Sequence, residues 1–302
     1  MLYFVDGEWV AEERARVPVS DHGFLYGDAC FEGIAVCMGR VLHLDEHVER
    51  LLMSARALRI TPPVGAEELR ALLLEAAVRN GMAQSPSGYL RPIISRGAGP
   101  LGVSWSDRLG PARLTIIPQR SERAVAFTGA IHVLDAAVTR QRRADPHAVD
   151  PRIKSNNYLP SILAFLDARA RGADVAILCD ERGHVSEGHA MNVFCLRQGR
   201  LRTPPATSAL EGITRRHVIE TARRLGHDCR EEPFTPYDLL CAEEAFVTSS
   251  LDGLAALGTV DGMRLAAPGP VTRELREAYV ARALTDGVAV PAPTAEPGGS
   301  RP

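Results

Sequence analysis

Lysine occurs once in this chain: of 35 basic side chains among 302 residues, Lys154 is the only lysine and the rest are arginines. A genome that favours Arg codons, as the Ala, Gly and Pro content suggests, lets surface lysines drift to arginine because both carry charge. A lysine that survives such drift is a candidate for what arginine cannot do, which is to lose its proton and condense with a carbonyl to an imine. Lys154 lies in Arg152-Ile153-Lys154-Ser155-Asn156-Asn157-Tyr158-Leu159. An extended segment holding Pro146 and Pro151 precedes it and an apolar helix follows. Such strand-to-helix transitions present reactive side chains from a rigid scaffold, although an ordinary loop lysine would read the same way. Glu187, in Val185-Ser186-Glu187-Gly188-His189-Ala190, is flanked by small residues that let a bulky group approach the backbone. Its carboxylate either turns to solvent or accepts a buried cationic partner. Gly212-Ile213-Thr214 opens a helix whose free N–H groups and dipole favour an anion, unless the threonine is a plain cap. Thr248-Ser249-Ser250 ends an apolar strand and offers further hydroxyls. Arg50 shares a helix face with His47 and Ser54, opposite the apolar side, either solvated or available to an anion.

Other chemistry is excluded on residue type and spacing. Gly97-Ala98-Gly99-Pro100-Leu101-Gly102 matches GxGxxG, but Pro100 and the aperiodic VSWSDRLGPA after it leave no helix to start in that turn, so a dinucleotide site is not expected. These glycines suit a loop lining a cleft. Six cysteines stand without CxxC or other metal-ligand spacing, which predicts reduced thiols, no metal and a cytoplasmic setting. The formal charge of −2 gives no basic field for nucleic acid. No apolar run reaches the roughly 18 residues of a membrane span. The opening MLYFVDGEWVAEERA lacks a basic segment followed by a long apolar run, so no secretory leader is expected.

The elements that must position these residues fall into two groups. Residues 1–118 read as a small α+β domain. It holds a hairpin at Leu2–Val5 and Trp9-Val10, a second hairpin over Phe31–Met38 and Val41–Leu44, and a helix capped by Asp45 and closed by Pro62-Pro63. A helix over Ala66–Asn80 and strands at Tyr89–Ser95 and Arg113–Pro118 complete it. The polar stretch 119–124 reads as a linker. Residues 125–290 read as a larger domain with strands Val125–Val138, Val175–Cys179, Val193–Leu196 and Ala245–Thr248. Its helices are predicted over Leu159–Ala170, Arg215–Leu225 and about Val271–Leu284. The Pro/Gly-rich end, 291–302, is predicted to be disordered.

One imine-capable lysine, one carboxylate among small residues, a Thr-bearing helix N-terminus and an arginine together match one ligand. Pyridoxal 5′-phosphate brings an aldehyde, a pyridine nitrogen that must stay protonated, and a phosphate. In order and interval, HGFLYGDACFEGI (22–34), GRVLHLDEHVERLLMSA (39–55), YLRPIISRG (89–97), IKSNNYL (153–159), DERGHVSEGHAMNVF (180–194), SALEGITR (208–215) and AEEAFVTSS (242–250) resemble the class IV, or fold-type IV, pyridoxal-phosphate aminotransferases. Among these the branched-chain amino acid enzymes are the nearest. The resemblance implies an α/β (α+β) fold of two domains with an interdomain cofactor cleft. It implies amino transfer from a branched-chain-like amino acid to a 2-oxo acid such as 2-oxoglutarate. Lys154 would form the aldimine and shuttle the proton, Glu187 would pair with the pyridinium and Tyr158 would bond the ring hydroxyl. Leu210 would pack on the ring and Asn192 would support Glu187. Arg50, Gly212, Ile213, Thr214, Ser249 and Ser250 would hold the phosphate. Tyr26, Phe31, Tyr89, Arg91 and Leu251 would shape the substrate pocket, with Arg91 on a distal carboxylate. Ala35, Cys37-Met38 and Leu251-Asp252-Gly253 depart from the branched-chain pattern, and VTSS is closer to the D-amino acid enzymes. A D-amino acid or (R)-amine transaminase, or a lyase of the aminodeoxychorismate type, is therefore the alternative. The family also implies a homodimer or higher homo-oligomer.

Overall fold

The computed structural model describes residues 1–103, 109–121 and 129–292. Two sheets organise them. The first runs in the order Val288–Ala289, Arg40–Val41, Ile34–Cys37, Ser87–Ser95, Arg113–Ser121, Leu2–Val5, Glu8–Ala11, with Ala29–Phe31 also paired to Ser87–Ser95. The second runs Val185–Gly188, Val175–Cys179, Val133–Arg142, Gly253–Val260, Glu244–Ser249, Asn192–Arg197, Arg200–Thr203, Asp228–Glu231, with Met263–Arg264 added beside Gly253–Val260.

Helices Leu44–Ala57 and Ala66–Arg79 cover the first sheet because their apolar residues recur every three or four positions. Leu51, Leu69 and Leu73 are fully buried against Ile34, Leu90 and Ile94, each such side chain stabilising the fold by about 2 kcal/mol. On the second sheet, Phe194 and Phe246 stack at 4.8 Å under helices Ile213–Arg224 and Pro270–Asp286. Ala35, Cys37 and Leu42 of the first sheet's region join that same core, so an apolar patch spans part of the seam between the domains. Helix Leu159–Ala170 lays Ala164 and Ala168 on Ala137, Ala176 and Leu178.

Several boundaries differ from those the sequence predicts. Gln119, Arg120 and Ser121 are not linker: they extend strand Arg113–Ser121, in register with Tyr89, Gly88 and Ser87. Positions 122–128, with the remainder of the predicted linker and the start of the predicted strand Val125–Val138, lie outside the described residues, as does 293–302 of the tail. The strand itself is Val133–Arg142. Val288 and Ala289 return to pair with Val41 and Arg40, so the large domain's last residues belong to the small domain's sheet. The helix expected to be capped by Asp45 starts at Leu44 behind His43, which adopts a left-handed conformation and makes no side-chain cap. The helix predicted from Arg215 begins at Ile213, directly after Gly212. Short elements without a full periodic window escape prediction, among them helix His22–Tyr26 and strand Val185–Gly188.

Candidate active site

Lys154 is held by both domains. Its carbonyl accepts from Phe31 N–H at 2.9 Å, the Asn156 N–H reaches the Ala29 carbonyl at 2.9 Å, and Ser155 bridges Cys30. Its own N–H donates to Ser54 Oγ at 3.3 Å. The segment is thus stitched to strand Ala29–Phe31 while Tyr158 leads into the helix Leu159–Ala170 of the other domain. Lys154 Nζ donates to the Tyr158 hydroxyl at 3.3 Å and lies 4.8 Å from the centre of the Phe31 ring. It borders a cavity of about 270 Å³ with Arg143, Tyr158, Glu187, His189 and Leu210.

Glu187 reaches that cavity through a break in strand register. Val185 pairs with Cys179 and Glu187 with Leu178, so Ser186 is the extra residue of a bulge. Bulges re-aim side chains in this way. Glu187 is buried. Its Oε2 accepts from Leu210 N–H at 2.9 Å, and its Oε1 lies 2.6 Å from Arg143 Nε, an ion pair whose N–H direction misses hydrogen-bond alignment. Contrary to the expectation from sequence, Asn192 does not support Glu187 directly. Its Nδ2 donates to the Leu210 carbonyl at 2.8 Å, so it holds the residue that holds Glu187.

Gly212 is the N-cap of Ile213–Arg224, with no side-chain cap on the helix. A Cβ at Gly212 would overlap Asn192 Oδ1, so only glycine lets the helix start against the strand that carries Asn192. The first N–H groups of this helix and the buried Thr214 stand at the N-terminus, and Ile213 and Glu211 border a cavity of about 480 Å³ together with Arg50. Arg50 donates from Nε and Nη2 to Glu32 at 2.7 and 2.8 Å and from Nη1 to the Glu211 carbonyl at 2.8 Å. Three of its five N–H donors are taken and two remain for a ligand. Ser249 does not present a free hydroxyl: its Oγ donates to Asp252 at 2.7 Å and accepts from Asp252 N–H at 2.9 Å, closing a turn. Ser250 follows it, half-buried.

A third cavity, about 550 Å³, is lined by Ala35, Cys37, Tyr89, Arg91 and Leu251. Arg91 donates to the Tyr89 hydroxyl from Nε at 3.2 Å and Nη2 at 2.8 Å, and stands 4.7 Å from the Phe31 ring centre. The Arg91 and Lys154 cations thus both lie over the Phe31 ring. Tyr26 does not line this cavity. It borders another with Phe24 and Tyr158, where its hydroxyl accepts from Gly102 N–H at 2.6 Å. The glycine loop 97–102 packs on helix His22–Tyr26: the His22 N–H donates to the Gly97 carbonyl, and its Nε2 meets the Pro100 carbonyl at 2.9 Å.

Residue type alone does not reveal four neighbours. Arg143 is one of many arginines. His189 accepts from Ala176 N–H at 3.3 Å, and burial pushes it below the ordinary histidine value against the pull of Asp252. Glu32 and His47 form a buried pair behind Arg50 at 2.7 Å. At the seam, His43, Glu46 and His217 also converge, but the two rings stack at 4.1 Å and 21°. Lone pairs of nearly parallel imidazoles do not meet on one ion, and Glu46 is already bonded by His217 at 2.8 Å and by Arg216. That cluster joins the domains.

In this two-domain mixed α/β chain Lys154 and the buried Glu187 share one cavity, and a helix N-terminus with Arg50 borders another, Ile153 lining both, an arrangement suited to an imine-forming ligand that carries an anion. The family model Amino-transferase class IV matches residues 29–257. The chain is 32% identical over 283 residues to the branched-chain-amino-acid aminotransferase of Escherichia coli (strain K12), covering 91% of this chain and 90% of that one. The structure is similar to the branched-chain aminotransferase from Thermoproteus uzoniensis with norvaline, at TM-score 0.86 and 33% identity, over 94% and 95% of the two chains. It is also similar to the branched-chain amino acid aminotransferase from Thermobaculum terrenum in its PLP (holo) form, at TM-score 0.84 and 26% identity, over 94% of each chain. The chain belongs to the class IV aminotransferases, and it is a transaminase of fold-type IV.

Proposed function

We propose that this chain binds pyridoxal 5′-phosphate at Lys154 and moves the amino group of an amino acid with an apolar, branched-chain-like side chain to a 2-oxo acid such as 2-oxoglutarate. The observation that carries this reading is the chain's one lysine, whose Nζ opens into a cavity bounded by Tyr158, Leu210 and the buried Glu187. The donor set fits each part of the cofactor. Lys154 suits its aldehyde and Tyr158 its ring hydroxyl. Glu187, with lone pairs left after Arg143 and Leu210, suits the ring N–H. The uncapped helix start at Gly212-Ile213-Thr214, the two spare donors of Arg50 and the Ser250 hydroxyl suit the phosphate. Bound there, the cofactor supplies a ring that takes up the electron pair released at the substrate Cα. The protein's part is general acid–base catalysis: Lys154 Nζ takes the Cα proton and returns one to the acceptor. Arg91, which donates to the Tyr89 hydroxyl and forms no ion pair among the described residues, suits the distal carboxylate of glutamate or 2-oxoglutarate. That favours transamination over a lyase.

We also propose a homodimer in the cytoplasm. Leu159, Ile162, Leu163 and Leu166 expose 64, 51, 46 and 57% of their surface on one helix, an apolar face that suits a second copy. Free thiols suit a reducing compartment.

Borohydride reduction of the holoenzyme followed by peptide mass spectrometry tests the central reading. It should give a phosphopyridoxyl adduct on Lys154, and Lys154→Ala should lose both adduct and turnover. An adduct elsewhere, or full activity in the variant, overturns it.

A further inference from the structure

We propose that Glu32 is a positioning residue for phosphate recognition: it fixes the Arg50 guanidinium from behind so that the two remaining donors face the mouth of helix Ile213–Arg224. The inference rests on the reading above that Arg50 serves the cofactor phosphate. Glu32 follows strand Ala29–Phe31 and is fully buried. Its carboxylate is saturated. Oε1 accepts from Arg50 Nε at 2.7 Å, and Oε2 accepts from Arg50 Nη2 at 2.8 Å, His47 Nδ1 at 2.7 Å and Gly33 N–H at 3.3 Å. His47, Arg50 and Ser54 lie three and four residues apart on helix Leu44–Ala57, hence on one face. The same face thus carries the Glu32 clamp at one end and, at the other, the Ser54 hydroxyl that holds the Lys154 N–H.

Burial pushes the Glu32 carboxyl up, and the partners Arg50 and His47 outweigh it and hold it well below the usual carboxylate range. Burial likewise pushes His47 down, against the pull of Glu32, and beside an acceptor-only carboxylate its Nδ1 carries the hydrogen that is donated. A buried ion pair of this kind is a poor source of stability, because desolvation offsets most of the Coulomb gain. What it does supply is orientation: a side-on fork fixes the guanidinium plane, and the Glu211 carbonyl pins its far edge. Charge alone argues the opposite outcome. Glu32 offsets part of the Arg50 charge, so if it acted only through charge, removing it would strengthen phosphate binding.

That opposition makes the test decisive. Full-length protein is stripped of cofactor and titrated with pyridoxal 5′-phosphate and, separately, with pyridoxal, for wild type, Glu32→Gln and Glu32→Asp. Circular dichroism checks the fold of each. Wild type should bind the phosphate ester far more tightly than pyridoxal. Glu32→Gln should cut that ratio by about tenfold, the loss expected for a misaligned charge-assisted hydrogen bond, with pyridoxal affinity unchanged within about twofold. Glu32→Asp, which keeps the charge and loses reach, should lower the ratio less. If Glu32→Gln fails to fold, Glu32→Asp must still lower the ratio. Tighter phosphate binding, an unchanged ratio, or equal losses for both ligands would overturn the positioning role. A wild type without preference for the phosphate ester would overturn the Arg50 reading itself.

Discussion

Replacing Arg91 with alanine should separate the two kinds of substrate this site must accept in turn. Arg91 projects from the middle of strand Ser87–Ser95, exposed, with its guanidinium 4.7 and 5.4 Å from the ring centres of Phe31 and Tyr89. Those rings steady the cation without neutralising it, and among the described residues only the Tyr89 hydroxyl receives its donors. A distal carboxylate would take the donors left over. A hydrogen bond between charged partners contributes about 1.5–3 kcal/mol. Solvent at this half-open position favours the lower half of that range, about 1.5–2 kcal/mol. The expected loss in kcat/KM for glutamate is then about 10- to 30-fold. For leucine or valine, which lack the second carboxylate, the loss should stay within about threefold, reflecting only the missing wall. Single-turnover kinetics with each amino donor, followed by cofactor absorbance, measure both numbers. Raising the salt concentration should weaken glutamate turnover in wild type and leave the variant nearly indifferent. Equal losses for glutamate and leucine would refute the assignment of Arg91 to the distal carboxylate.

Two further perturbations probe the scaffold. Gly212→Ala places a methyl group on Asn192 Oδ1, costing the Asn192–Leu210 bond and, through Leu210, the hold on Glu187. Urea unfolding should find about 2–4 kcal/mol less stability, together with weaker cofactor binding. Unchanged values for both would show that the helix start can move freely. Glu46→Gln tests the seam between the domains. Burial would push the Glu46 carboxyl up, but hydrogen bonds from His217 and Arg216 hold it down at about 2, from an ordinary 4.5. A depressed carboxyl adds stability above its unfolded value, and that stability disappears as pH falls from about 4.5 to about 2. Taken whole the shift corresponds to about 3 kcal/mol, and screening of a carboxylate that is 30% exposed reduces it to about 1 kcal/mol. Wild type should therefore exceed the variant by about 1 kcal/mol at pH 7, and the gap should close towards pH 2–3. A gap independent of pH would contradict this account.

The sequence determined the chemistry available to this protein. A single lysine, set where an extended segment turns into a helix, is visible without coordinates, because residue identity decides which group can form an imine. Local signals also set most elements. The 3.6-residue apolar period gives the helices over Leu44–Ala57 and Ala66–Arg79, and Gly212 before a periodic run marks a helix start. The tertiary structure decided who holds whom. The bulge at Ser186 that turns Glu187 into the cleft, the pairing of Arg143 with that carboxylate, the saturation of Glu32 and the diversion of Ser249 to Asp252 all depend on how the folded chain brings particular side chains together. The Arg143–Glu187 and Glu32–Arg50 meetings join residues far apart in sequence, and even the short Ser249–Asp252 turn and the Ser186 bulge are set by how the strands pair rather than by a residue period. Arginines are too numerous here for type to single out Arg143, whereas Arg50 is visible through its helix face and the family resemblance, and a glutamate in a strand turn looks solvated until its neighbours close over it. The return of Val288–Ala289 to the first sheet is of the same kind: a two-residue strand has no period to read, and only the backbone donors left open at Arg40–Val41 give it a place.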